Sequence, residues 1–195
     1  SDTGEATVTG TLTFTPANWN SAQTVTVTGV NDDIIDGNIT STLTVTVNDG
    51  SSDNDFDAVN DQTVSVITVD NDAAGFTITE SGGSTSVAES GTTDTFTVVL
   101  DAQPASDVVL DITSSDTGEA TVTSSLTFTS GNWNSAQTVT VTGVDDNLVD
   151  GTQTPTLTIT VNDGSSDNNF DGVGDQTVSV TTVDNDVAGF TITES

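Results

Sequence analysis

Two acidic stretches recur where one β-rich run ends and another begins: Val69-Asp70-Asn71-Asp72-Ala73-Ala74-Gly75-Phe76 and Val183-Asp184-Asn185-Asp186-Val187-Ala188-Gly189-Phe190. Each sets two carboxylates and an amide within three residues. No basic side chain stands nearby, because the 195 residues include 25 Asp and 5 Glu but no Lys, Arg or His, for a formal charge of −30. A knot of oxygen donors with no internal counter-charge suits a hard cation. Calcium takes six to eight carboxylate, amide or carbonyl oxygens at roughly 2.3–2.6 Å, whereas magnesium demands a tight octahedron. Zinc would want the His or Cys that this chain lacks. Two blander readings are acidic loops that are merely solvated and an adaptation to high salt, which a calcium affinity well below ambient sodium would separate from specific binding.

A second acidic cluster is Asp167-Asn168-Asn169-Phe170-Asp171-Gly172-Val173-Gly174-Asp175. Its spacing matches positions one, three, five, six and nine of an EF-hand loop, making Asp167, Asn169, Asp171 and Asp175 candidate ligands. Position twelve is Val178 rather than Glu, and no helices flank it. The earlier copy offers Asp53, Asp55, Asp57 and Asp61 without the Gly. The competing reading is an acidic hairpin loop whose Phe170, like Phe56, tucks into a core. Both stay open from the residues alone.

Catalytic chemistry finds little here. There is no His, Lys or Cys to activate the plentiful Ser and Thr. Paired carboxylates of a glycosidase would need a cleft that nothing in the pattern suggests. We therefore expect no enzyme.

The elements that must position the acids are strands. Apolar and β-branched residues alternate with polar ones throughout, which disordered acidic chains do not do. Thr93 to Leu100 puts Phe96, Val98 and Leu100 on one face. Val108, Leu110 and Ile112 follow, then Thr121 to Thr129 with Val122, Leu126 and Phe128. Gln137 to Val144 carries Val139 and Val141. Thr156 to Val161 carries Leu157, Ile159 and Val161. Gln176 to Val183 carries Val178 and Val180. Thr fills most opposite positions, as suits a solvated strand face; a flat ice-binding Thr array is the sharper alternative. Seven or eight short antiparallel strands in about 114 residues predict an all-β, immunoglobulin-like sandwich. Trp19 and Trp133, each between two Asn, are expected to cover the open ends of sandwiches, the alternative being anchors for a sugar or a partner.

The chain repeats itself. Residues 1–81 match residues 115–195 without a gap at an offset of 114, and 64 of the 81 pairs are identical. Residues 73–186 make one complete repeat. Residues 1–72 correspond to the C-terminal part of another, and residues 187–195 to the first strand of a third. A sandwich lacking a third of its strands would leave its inner face bare. The chain then reads either as a window on a longer array of sandwiches joined end to end, or as subunits that complete each other.

The complete repeat resembles a Calx-β domain, the sandwich found in sodium–calcium exchangers and many large bacterial surface proteins. The resemblance rests on Val87-Ala88-Glu89-Ser90-Gly91, on Asn132-Trp133-Asn134 before Gln137-Thr138-Val139-Thr140-Val141, on Val144-Asp145-Asp146-Asn147-Leu148-Val149-Asp150-Gly151, and on Val183-Asp184-Asn185-Asp186. It implies calcium held at one pole by Glu89, Asp116, Asp145, Asp146, Asp150, Asp184 and Asp186. The partial repeat keeps Asp2, Asp32, Asp36, Asp70 and Asp72. The family often has Glu where Asp150 stands and a third acid where Asn185 stands, and Asn31 stands opposite Asp145.

These readings predict a calcium-stabilised structural repeat of a bacterial extracellular fibre or adhesin stalk. The alternative is a calcium-regulated binding module of a cell-surface protein. The expected partners are neighbouring repeats. The charge argues against nucleic acid, whose binding rests on Lys and Arg, and against an anionic membrane surface. No apolar run approaches a membrane span.

Overall fold

The protein is described by a computed structural model covering residues 2–194, so the outermost residues of the 1–72 and 187–195 segments lie outside the described residues. The chain divides into two compact units, Ser1–Asn71 and Asp72–Ser195. The described residues contain strands and short 3-10 turns, and no helix is long and apolar enough to cross a membrane.

The second unit is a β-sandwich. Its elements are β5 (Phe76–Glu80), β6 (Thr85–Ala88), β7 (Thr93–Leu100), β8 (Val108–Ser114), β9 (Ala120–Val122), β10 (Ser125–Phe128), β11 (Gln137–Gly143), β12 (Thr156–Val161) and β13 (Gln176–Val183). One sheet has the order β5-β7-β11-β9, the other β10-β8-β12-β13-β6. The alternation that predicts the strands also fixes their faces. Phe96, Val98, Leu100, Val108, Leu110, Leu126, Phe128, Val139, Val141, Leu157, Ile159, Val178 and Val180 all lie in the core. Burying each such side chain stabilises the fold by roughly 1.5–3 kcal/mol, so this layer outweighs any other single contribution.

Two features depart from the sequence reading. The expected strand from Thr121 to Thr129 is two strands in different sheets. Ala120–Val122 pairs with β11, and Ser125–Phe128 pairs with β8, so the chain changes sheets at Thr123 and Ser124. Such crossings form the corners of sandwiches. Pairing is also not wholly antiparallel. β6 runs parallel to β13, with Val180 opposite Thr85 and Val183 opposite Ala88. That parallel edge brings the ends of both strands to the same pole.

The first unit holds β1 (Ala6–Val8), β2 (Val27–Gly29), β3 (Ile39–Val45) and β4 (Gln62–Thr68), paired as β1 with β2 and β3 with β4. These correspond to β9, β11, β12 and β13 at the offset of 114. Their apolar faces stay open: Phe14, Val25, Val27, Val45, Phe56 and Val64 are exposed. Phe56 therefore does not tuck in as expected, whereas its counterpart Phe170 is fully buried. The cause is the cover: in the second unit β5 to β8 supply it. Residues 187–194, expected as a first strand, form no ladder, and Phe190 and Ile192 are exposed.

Candidate metal centre

Four segments of the second unit converge on one pole. β6 ends at Ala88 and delivers Glu89. β11 ends at Gly143, opposite Ala120 where β9 starts, so Glu119 and the loop from Val144 meet there. Glu119 is tied to that loop by the Val144 N–H, which donates to its carbonyl at 2.9 Å. β13 ends at Val183, whose carbonyl accepts the Glu89 N–H at 3.1 Å, and delivers Asp184 to Asp186.

Two carboxylate clusters result. Glu89, Glu119 and Asp150 bring one oxygen each within 4.8 Å of one another, and so do Glu89, Asp146 and Asp186. Glu89 belongs to both. It is 1% exposed and Glu119 is 8% exposed. Glu89 Oε2 accepts the Asn185 N–H at 3.2 Å. Glu89 Oε1, Glu119 Oε2 and Asp186 Oδ2 are buried with no hydrogen-bond partner. Burial raises the pKa of the Glu89 carboxyl, and Asp184, Asp146 and Asp150 add to the rise against the Asn185 N–H. Burial also pushes Glu119 up, reinforced by Asp150, Glu89 and Asp116. Asp186 is raised by burial and by Asp184, Asp145 and Asp146. Desolvated carboxylates that face each other and have no cationic partner are costly. Their donor set is all oxygen, which fits a hard divalent cation.

The remaining expected ligands take other places. Asp184 accepts from the Asp186 N–H at 2.6 Å through Oδ1 and from the Gly151 N–H at 2.7 Å through Oδ2. Those two bonds hold its pKa below the usual value. Its carboxylate thus pins the Asp150 loop to the chain end. Asp145 is exposed and accepts from Asn185 Nδ2 at 3.0 Å. Asp146 caps its own turn through the Leu148 N–H at 2.6 Å. Asp116 turns back on the Gly118 N–H at 2.9 Å, and it joins neither cluster.

In the first unit Glu5, Asp32 and Asp36 form one cluster, whereas their counterparts at the offset of 114, Glu119, Asp146 and Asp150, divide between the two clusters that share Glu89. Burial, then Asp36 and Asp32, raise the pKa of Glu5. Asp70 binds the Gly37 N–H at 2.8 Å, as Asp184 binds Gly151. Asp2 bonds the Gly4 N–H at 2.9 Å and, like Asp70, lies outside the cluster. Asp72 begins the second unit and joins none of the clusters among the described residues.

Glu119 and Glu5 are the ligand candidates that the sequence reading missed. The available signal was their rarity. Only five Glu occur in the chain, and this one sits one residue before a strand in both copies.

The structure gives the EF-hand-like cluster other contacts among the described residues. Asp167 is 6% exposed, and its oxygens take the N–H groups of Ala105 at 2.7 Å, Ser106 at 3.0 Å and Asn169 at 3.0 Å. Phe170 beside it is fully buried. This carboxylate staples a hairpin loop to the β7–β8 connection. Asp53 likewise caps its turn through the Asp55 N–H at 3.0 Å. No three-carboxylate cluster forms among Asp167, Asp171 and Asp175, which flank Asn169, or among Asp53, Asp55, Asp57 and Asp61.

No family model matches the chain, and no curated protein matches it. Among solved structures it is similar to an apo-form Calx CBD1 domain, at 14% identity and TM-score 0.41, covering 57% of this chain and 98% of that one. It is also similar to domains 4 and 5 of the S-layer protein SbsC, at 30% identity and TM-score 0.39, covering 63% of this chain and 59% of that one. Against SbsC domains 1–6 the identity is 24% and the TM-score 0.45, over 82% of this chain and 17% of that chain. The likeness is one of β-sandwich fold.

Proposed function

We propose that this chain is a calcium-stabilised structural repeat of an extracellular fibre or adhesin stalk at a bacterial surface. The observation that carries this reading is the pair Glu89 and Glu119, two buried carboxylates with an unpartnered oxygen each, in a molecule with no cationic side chain. Calcium at the pole would be held by Glu89, Glu119, Asp146, Asp150 and Asp186. When bound, it supplies the positive charge that the chain lacks. Asp184 and Asn185 position that set, and the last ligand lies where the chain leaves the sandwich. An ion there favours the folded state and restricts the exit direction of residues 187–194.

The test is calorimetry of the intact chain in calcium and in chelator. An ion that binds only the folded state adds about 2.7 kcal/mol at 100 times its Kd. For a domain of this size that is a rise in Tm of about 5–10 °C. A melting curve indifferent to chelator overturns the reading. An equal rise in sodium at matched ionic strength would assign the acidity to salt adaptation instead.

A further inference from the structure

A pull transmitted along the chain reaches the second unit near Asp72 and leaves it near Asp186. The structure fixes where those points lie along β13. Gln176 Nε2 bonds the Phe76 carbonyl at 2.5 Å, so β5 begins beside the start of β13. Residues 184–186 are held at its other end, by the Asn185 N–H on Glu89 Oε2 at 3.2 Å and the Asp186 N–H on Asp184 Oδ1 at 2.6 Å. Gln176 to Val183 spans about 23 Å of strand. Tension therefore acts along β13, with entry and exit at opposite ends of it.

The entering and leaving parts of the chain meet in one ladder. β6 runs parallel to β13 through four pairs, from Val180 opposite Thr85 to Val183 opposite Ala88. The Glu89 N–H carries it one step further, onto the Val183 carbonyl at 3.1 Å. Under tension the entering chain draws β6 away from the pole while the leaving chain draws β13 toward it. The bonds of a ladder lie across the strands, so this sliding loads them all at once. Peeling would break them one by one. The other edge of β6 is tied as well. The Ser86 N–H donates to Asp94 Oδ2 at 2.8 Å, and the Ala88 N–H to Thr92 Oγ1 at 2.7 Å. Between them the side chains of Thr85, Val87 and Glu89 are buried. β6 is thus held on both edges and from within.

We propose that the β6–β13 ladder is the tension-bearing clamp of the second unit, with Asp94 and Thr92 as positioning residues that keep β6 in it. In the first unit β4 pairs with β3 alone among the described residues and has no such ladder. The inference rests on the stalk reading for the source of the load, but the clamp itself is tested without that reading.

The chain has no Cys, so pairs of introduced Cys set the direction of pull in single-molecule force measurements on the full chain. Ala73→Cys with Val187→Cys, both at exposed positions, slides β6 past β13. Leu148→Cys with Val187→Cys, again both exposed, pulls at the pole and opens β13 bond by bond from Val183. Both pairs are read in chelator, below the Tm found there by calorimetry, so that no ion bridges the pole attachments and the calcium reading stands or falls separately. The sliding pair should open the second unit in one step of roughly 350 Å, the length of residues 76–183 at about 3.3–3.6 Å each less their folded span. Its opening force should be several-fold above that of the pole pair. Equal forces overturn the proposal. Asp94→Ala should speed opening at fixed force by about 10-fold or more in the sliding pair, as loss of a charge-assisted bond does, and change the pole pair little. Equal acceleration in both pairs would make Asp94 a general stabiliser and overturn its place in the clamp.

Discussion

The backbone of Gly143, the last residue of β11, lies against the carbonyl of Ala88, the last residue of β6: a Cβ at Gly143 would meet the Ala88 carbonyl carbon at 2.7 Å. The Gly143 N–H donates to the Thr92 carbonyl at 3.0 Å, closing the contact from the other side. These two residues join the sheets at the pole, one step before Glu89 and two before Asp145. The equivalent Gly29 faces only Thr68 Cγ2, at 3.8 Å. Gly143→Ala should therefore destabilise the second unit by about 1–3 kcal/mol, as overpacking does, and should weaken calcium binding by displacing Glu89. Gly29→Ala should do neither. Denaturant titration and calcium titration of both variants check this pair, and equal effects would contradict the contact.

Much of this was legible in the residues. The period of two in Phe96-Thr97-Val98-Val99-Leu100 gives both strand and face, because one register buries Phe96, Val98 and Leu100 together. The repeat at 114 is read directly from the residues. What stayed hidden were long-range choices. Alternation cannot say that β6 runs parallel to β13, since a parallel edge and an antiparallel edge bury the same residues. It cannot reveal the sheet change at Thr123, since either half reads as strand. The Asp-rich runs pointed to Asp146, Asp150 and Asp186, which the structure brings near Glu89. Asp167 matched a ligand spacing equally well, yet backbone donors 62 and 61 residues away claim it. Spacing along the chain counts carboxylates but not the N–H groups that compete with a cation for them.

Asp167 gives a pH prediction of its own. Burial opposes its ionisation, but the N–H groups of Asn169, Ser106 and Ala105 outweigh that and lower its pKa. A carboxylate depressed in the folded state stabilises above its unfolded pKa, near 3.9, and that stability is lost as pH falls through the folded value. Asp167→Ala should cost about 2–3 kcal/mol near neutral pH, with the buried donors left unpaired. The deficit relative to the parent should shrink below about pH 4. A deficit that is constant with pH, measured by urea titration in chelator, would rule out an ionised staple.

The core prediction separates the two units. Phe128→Ala should destabilise by roughly 3–5 kcal/mol, as large-to-small changes at buried aromatics do. Thr127, on the opposite face and exposed, should tolerate Ala with far less loss. Phe14 occupies the same place in the first unit but is 55% exposed, so Phe14→Ala should cost well under half as much. Equal losses for Phe128 and Thr127 in denaturant titration would show the strand register to be wrong.

The pole predicts a reversal of pH dependence with metal. Glu89, Glu119 and Asp186 have pKa values raised in the folded state by burial and by their acidic neighbours. Raised carboxylates bind more protons folded than unfolded. Their stabilising contribution is therefore present below the unfolded pKa, about 4, and is lost as pH rises through the folded values. In chelator the second unit should thus gain stability when acidified from neutral toward about pH 5, before Asp167 and Asp184 begin to lose theirs. In saturating calcium the sign should invert, because protons compete with the cation for the same oxygens and acidification removes the bound state. Glu89→Gln sharpens the test. It removes a buried charge and should raise Tm in chelator, yet it removes a shared ligand and should lower the gain from calcium. Scanning calorimetry of parent and variant at several pH values, with and without calcium, reads both signs. Parallel pH profiles in the two conditions would show that the buried carboxylates and the cation do not meet.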